Sequence, residues 1–437
     1  MSWQFTLLLL LGGLILLMAI GMPIAFCFLA IILIAAPLTW GGSVGINQVI
    51  VGLSSSVVSF VILPIPLFVL MGTVVFYSGI APLLIDSLDK LLGSLRGRLS
   101  LLAVGSGVLL ATLTGSSLGS VSMLGGTLVP EMEKRGYKKP MTLGPILGSG
   151  GLAVMIPPSN LAVLLGAIGE ISIGKILLAI IFAGLLMAFF YITYILIRCK
   201  LEPSLAPTYT VRHVPTSEKL ISAAKYILPL GFIIFMVVGV IFAGVATATE
   251  AAATGALSTF ILAAFYKKLN FKMVKKIFIE TLKISAMLLM ILTASQVFSQ
   301  ILSFSGVAAG MAEFATGLKV APILIIIGMM LTLLVLGTFM DAISIMMVTL
   351  PMYVPVVLSL GFDPVWFAVL FLLNIEMAMT TPPVGFCLYV MKAVAPPDTT
   401  MGEIYRAALP FLGCDMLSMA LIMIFPSIVL WLPSLMR

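Results

Sequence analysis

The chain has 437 residues, 61% of them hydrophobic and 9% charged, with a mean hydropathy of +1.25; soluble domains carry roughly 25% charged residues. That excludes a water-soluble globular fold, and the solid apolar blocks exclude a membrane β-barrel, whose strands alternate. The formal net charge of +7 is not a nucleic-acid footprint, because the basic residues gather in short loops between apolar runs, the pattern of an all-α polytopic membrane protein.

In chain order, the opening MSWQFTLLLL has no basic n-region and no cleavage site before a polar domain, so it reads as a first span rather than a removable signal. Residues 5–38 fit either two short spans hinged at GMP (21–23) or one bent helix. The loop 89–98 carries Lys90, Arg96 and Arg98, and the loop 131–139 carries Lys134, Arg135, Lys138 and Lys139. Both read as cytoplasmic. The 32 residues between them, 99–130, must then cross an even number of times, yet at 1.5 Å per residue they cannot make two full spans. They are predicted to form a re-entrant helical hairpin with LTGSS (113–117) at its tip. Non-helical backbone at that depth is tolerated where it lines a cavity or is buried in protein.

A helix over about 140–166 follows, interrupted at MIPPSN (155–160). Two successive prolines lack N–H groups and clash with the preceding turn, so they break the helix. The break frees carbonyl oxygens that suit small hard cations such as sodium, while half-helix N-termini suit carboxylates. Hydroxyls of Ser116, Ser117 and Ser159 are candidate additional ligands, against the plainer reading of a packing kink. Asn160 fits a hydrogen bond to substrate or to a freed backbone group equally well.

A basic polar linker, 200–225, contains His213, the single histidine of the chain. One histidine leaves no histidine-built metal site in the membrane, no HExxH motif exists, and no GxxxxGK[ST] loop is present for ATP hydrolysis. The four cysteines (Cys27, Cys199, Cys387, Cys414) show no CxxC spacing and read as packing residues.

Beyond the linker, Glu250 in TATE (247–250) suits a helix cap as well as a direct role. YKKLNFKMVKK (266–276) is a further basic loop, and Lys283 reads as a snorkelling residue. Gln296 and Ser299, in TASQVFSQ (293–300), are candidates for lining a polar cavity. A second hairpin is expected over 322–355 with its tip near GTFMDA (337–342), where Asp341 is either functional or a cap. Glu376 stands between pathway and packing. A second broken helix is expected over 364–394, interrupted at TTPPVG (380–385), with Thr380 and Thr381 offering hydroxyls.

The two halves, 1–199 and 226–437, share a spacing of punctuating residues. Pro130 pairs with Pro355, Gly136 with Gly361, Pro157 with Pro382 and Pro158 with Pro383, each 225 positions apart (355 − 130, 361 − 136, 382 − 157, 383 − 158). Corresponding loops differ in basicity: 356–364 has no lysine or arginine where 131–139 has four. Matching loops of opposite basicity should lie on opposite faces, the mark of an inverted-topology repeat of the kind secondary transporters use.

The ordered set IPLFVLMG (65–72), LTGSSLGSVSMLGGTLVPEMEKRGYKKP (113–140), IPPS (156–159), GVATATEAAATGAL (244–257), FMDAISIMMVTLP (339–351), GFDP (361–364) and TPPVG (381–385) resembles the large membrane subunit of tripartite ATP-independent periplasmic (TRAP) transporters over nearly the whole chain. The resemblance implies a sodium-coupled importer of elevator type in the bacterial inner membrane. It would carry a small organic acid, a C4-dicarboxylate or a sugar acid such as sialic acid, and would work with a small four-helix membrane subunit and a periplasmic substrate-binding protein. It implies no enzymatic activity and no cofactor besides sodium as coupling ion. A first sodium site would draw on Thr114, Gly115 and Ser116 with Pro157, Pro158 and Ser159. A second would draw on Thr338 and Asp341 with Thr380, Thr381, Pro383 and Gly385. Substrate would meet Ser116, Ser117, Asn160, Gln296 and Ser299.

The chain departs from the family pattern at LGSVSM (118–123), which bears on substrate identity, and at TATE, where the family's proline is missing. Rival readings are a stand-alone sodium–dicarboxylate carrier, which needs no binding protein, a polytopic membrane enzyme, and a channel.

Overall fold

The computed structural model describes residues 3–59, 62–93, 95–114, 116–207, 215–338 and 340–436, and its regular structure there is helical. The first apolar stretch is two helices, α1 (Trp3–Ala19) and α2 (Ile24–Trp40), because Gly21 takes a left-handed φ of 86° and Pro23 cannot extend the first helix. α3 (Gly42–Val57) follows directly. α4 (Pro64–Ser78) and α5 (Ala81–Leu92) meet at an angle of 73°. α5 is amphipathic: Leu84 and Ile85 are buried, while Asp86 stays exposed beside Lys90 at 2.9 Å. Arg98 opens α6 (Arg98–Thr114) and is itself buried. Its guanidinium donates to the Asp89 carboxylate at 2.8 Å and to the Asp89 carbonyl at 2.7 Å, clamping the junction of α5 and α6.

α7 (Ser117–Lys134), α8 (Lys139–Met155), α9 (Asn160–Ile168) and α10 (Ile173–Leu201) complete the first half. α8 is the axle of this group: every residue from Met141 to Met155 is buried, and α6, α7 and α20 (Met401–Ile424) pack on it. Close approach needs its glycines. A Cβ on Gly148 would lie 2.6 Å from the Phe411 ring, and one on Gly144 would lie 2.6 Å from both that ring and the Ala407 carbonyl. Small residues four apart let helices meet at this distance inside a membrane.

The polar linker is only partly a linker. After a 3-10 turn at Pro203–Leu205, residues 216–225 are already helical: α11 (Thr216–Ser222) runs through a π turn at Ala223–Ile227 into α12 (Leu228–Phe242). The Ser222 hydroxyl meets that of Ser87 at 3.0 Å, which docks this segment on α5. Helix-forming TSEKLISAAKYI, started by Pro215, outweighs the polarity that suggested a loop.

The second half comprises α13 (Ala248–Phe265), α14 (Phe271–Phe304), α15 (Val307–Gly317), α16 (Pro322–Leu336), α17 (Ala342–Ser359), α18 (Pro364–Thr380), α19 (Phe386–Val394), α20 and α21 (Ser427–Ser434). Helix bounds recur along the chain: α17 starts and ends 225 positions after α7 (342 − 117, 359 − 134), and α18 stands in the same relation to α8 (364 − 139, 380 − 155). Among the described residues, six helices are long and apolar enough to cross a membrane, or up to eight if each sharply bent pair counts as one span. Two packing groups emerge. One gathers α2, α3, α4, α13 and α14; the other gathers α6 to α10 with α18 to α20. α4 and α14 touch α6, α9 and α17 across the seam between them.

Candidate functional site

A cavity of about 410 Å³ lies on that seam, walled by α4 and α14 on one side and by helix ends on the other. Three helix N-termini reach it. Ser116 caps α7 by accepting from the Gly119 N–H at 3.4 Å. Ser159 caps α9 by accepting from Ala162 N–H at 3.3 Å, and Asn160, the first residue of that helix, faces the cavity. Asp341 caps α17, accepting from the N–H groups of Ile343 at 3.1 Å and Ser344 at 3.3 Å and from the Ser344 hydroxyl. Serine and aspartate just before an apolar helix are the residues that satisfy its orphan N–H groups.

The second tie is long-range. The Ser117 hydroxyl lies 2.8 Å from both carboxyl oxygens of Glu376, and both side chains are buried. Glu376 sits one turn before the C-terminal end of α18, which is buried from Val365 to Thr380. Across the seam, Glu280 of α14 lines the same cavity and accepts from Lys283 at 2.9 Å. The described lining thus holds three carboxyl groups, Glu280, Asp341 and Glu376, and no lysine, arginine or histidine.

The sequence-derived candidates divide accordingly. Ser116, Ser117, Asn160 and Asp341 line this cavity; Ser159 is fully buried at its edge as a cap. Pro157 and Pro158, joined by a cis bond, occupy the break between α8 and α9, where the chain bends by 46°. Pro382–Pro383 is likewise cis, in the break between α18 and α19. That second break is not part of the cavity lining. Thr380 and Thr381 turn their hydroxyls onto carbonyls of their own helix, Thr381 on Met377 at 2.6 Å. Thr338 does the same on Val335 at 2.7 Å. The Pro383 carbonyl accepts from Tyr405 at 2.8 Å, and the Gly385 N–H bonds the Thr381 carbonyl at 3.1 Å. Gly115 lies outside the described residues, as does the side chain of Thr114. Gln296 and Ser299 do not join this group: they line a separate cavity. Glu250 is a cap, completing a capping box with Thr247.

Two features escaped sequence reasoning. The Ser117–Glu376 link spans 259 positions, and no local pattern announces it. Asp415, buried in α20 and hydrogen-bonded by the Tyr191 hydroxyl, faces a small pocket that Glu376 and Thr380 also line. Its signal was available: an acid inside an apolar run, LGCDMLSMA (412–420).

Apolar helices of membrane length, breaks at two diprolines and several helix N-termini converging on one cavity define a polytopic helical membrane protein. Consistent with this, the structure of the YdaH transporter of Alcanivorax borkumensis superposes with a TM-score of 0.65, covering 91% of this chain and 97% of that one at 15% identity, a likeness of fold. The chain belongs to the DctM component family of the tripartite ATP-independent periplasmic transporters, whose model matches residues 11–428. The C4-dicarboxylate TRAP transporter large permease protein DctM of Pseudomonas aeruginosa is 30% identical over 378 residues, 86% of either chain. The sialic acid TRAP transporter large permease protein SiaM of Vibrio cholerae is 29% identical over 416 residues, 95% of either chain. Family membership makes this a membrane transport component.

Proposed function

We propose that the protein is the large permease of a sodium-coupled TRAP importer in a bacterial inner membrane, taking up a small organic acid, a C4-dicarboxylate or a sugar acid. A periplasmic binding protein delivers the acid, and a small four-helix subunit completes the membrane part. One observation carries the reading: the seam cavity offers helix N-termini to an anion, while the acids in its otherwise mostly apolar described lining are Asp341, Glu376 and Glu280, of which Glu280 alone is paired with a lysine. An organic anion cannot sit among carboxyl groups in a low-dielectric site unless cations enter with it. Sodium, taken at Asp341 and at the backbone freed by the first diproline break, which leads into Asn160, supplies those cations. Ser116, Ser117 and Asn160 then meet the substrate, whose carboxylate lies against the N-termini of α7 and α9.

The group α6–α10 with α17–α20 is the moving part of an elevator, and α4 and α14 are the wall it slides along. Recurrence of helix bounds at 225 positions, with loops of opposite basicity, supports an inverted repeat. Tyr77 and Glu280 line the cavity, and Lys276 lies over the Tyr77 ring at 4.5 Å. On this reading the cavity lies toward the basic end of α14, the cytoplasmic side, as in an inward-facing carrier.

The test is uptake of labelled succinate and N-acetylneuraminate into proteoliposomes holding both membrane subunits, with purified binding protein outside. Uptake should need an inward sodium gradient and the binding protein. Equal rates under a proton gradient without sodium would overturn the coupling, and equal rates without the binding protein would make this a stand-alone carrier.

A further inference from the structure

A second cavity, of about 650 Å³, lies between α3, α14 and the turn from α9 to α10. It sits at the opposite end of the molecule from the basic loops. Glu170, at that turn, precedes the helix whose far end carries Arg198 and Lys200, and the α14 residues involved lie far from Lys272, Lys275 and Lys276. By charge placement this end faces outward.

The lining differs in kind from that of the first cavity. Gln48, Gln296 and Gln300 bring three carboxamides, and Ser295, Ser299 and Ser303 bring hydroxyls. Trp40 and Phe304, edge to face at 5.9 Å between ring centroids, form one wall. Glu170 is the titratable group of the described lining. Ser295 is 1% exposed, and its hydroxyl has no hydrogen-bond partner among the described residues. Such a group is costly to leave unmade, and here it lies in the buried wall beneath the cavity rather than on its open surface.

Amides and hydroxyls both donate and accept, so a row of them matches a chain of alcohol groups. An indole edge beside a second ring suits the C–H face of a sugar. A compact dicarboxylate would bring two negative charges to Glu170 with no base to offset them and few hydroxyls to engage the amides. We propose that this outward cavity is an entry site for polyhydroxylated monocarboxylates, sugar acids, held by Gln296, Gln300 and Ser299 against Trp40 before they pass to the seam cavity. The proposal rests on the transport reading above and narrows its substrate class.

Tryptophan fluorescence of the full-length protein with its small subunit, in lipid nanodiscs, tests it with gluconate, N-acetylneuraminate and succinate as probes. At least one sugar acid should give a saturable change that disappears in Trp40→Phe, while succinate gives none over the same range. Gln296→Leu and Gln300→Leu should weaken binding roughly tenfold or more, because amides built to meet hydroxyls are then lost. Ser299→Ala, the mildest change to packing, should weaken it in the same direction. A saturable succinate signal of equal affinity, no signal from either sugar acid, or unchanged affinity in all three variants overturns the assignment. If sodium-driven uptake fails while the titration holds, the transport reading alone falls. If uptake stands and the titration is flat, only the entry site falls.

Discussion

Asp341 does two things that one substitution separates. It caps α17 through the N–H groups of Ile343 and Ser344, and it puts a carboxylate at the seam cavity. Asparagine caps a helix about as well as aspartate, so Asp341→Asn should keep the thermal stability of the purified protein and remove the charge. The expected result is a sodium half-saturation for uptake raised roughly tenfold, about 1.4 kcal/mol; an unchanged sodium titration would take Asp341 out of the ion site. The Ser117–Glu376 pair calls for a different measurement. Ser117→Ala leaves a buried carboxyl group without its donor, at a cost of about 1–3 kcal/mol, whereas Glu376→Gln still offers an oxygen to that donor. Thermal denaturation of the two single variants and the double variant should therefore show coupling, with Ser117→Ala doing less harm once Glu376 is already glutamine. Additive losses would mean that the two side chains do not sense one another.

At the scale of single helices, the features legible in the sequence were those written locally. Diprolines at 157–158 and 382–383 stand where α8 gives way to α9 and α18 to α19, and the serines and aspartate before α7, α9 and α17 are caps. A proline or a cap acts on its own neighbours, so a chain scan finds it. What the scan missed depends on partners distant in the chain. Gln296 and Ser299 line a polar cavity as expected, but which cavity they enter is set by their heading on α14, toward the outer one. Residues 216–225 looked polar enough to be linker, yet docking on α5 makes them helix. The glycine face of α8 likewise acquires meaning only with Phe411 against it. Gly148→Val should force α8 and α20 apart at an overpacking cost of about 1–3 kcal/mol, read as a lowered melting temperature. Phe411→Ala in the same chain should recover part of it. If Gly148→Val alone melts like the parent, the close contact is not a constraint.

For the molecule as a whole, composition and hydropathy were enough to announce a helical membrane protein, and loop charge gave a topology to test. Single cysteines placed in loops 131–139 and 356–364 should react with a membrane-impermeant maleimide from opposite faces of oriented vesicles; labelling from one face would end the inverted arrangement. The acid-lined seam cavity also bears on the half of the cycle that carries no cargo. Once solute and sodium have left toward the cytoplasm, the vacant carrier still holds Asp341, and a negative charge in a cell that is electrically negative inside is pushed outward. Each elementary charge moved across 100 mV is worth about 2.3 kcal/mol. On the proposed mechanism the membrane voltage thus recocks the machine between turnovers, and collapsing that voltage with an ionophore should slow the empty return stroke even when the sodium gradient is left intact.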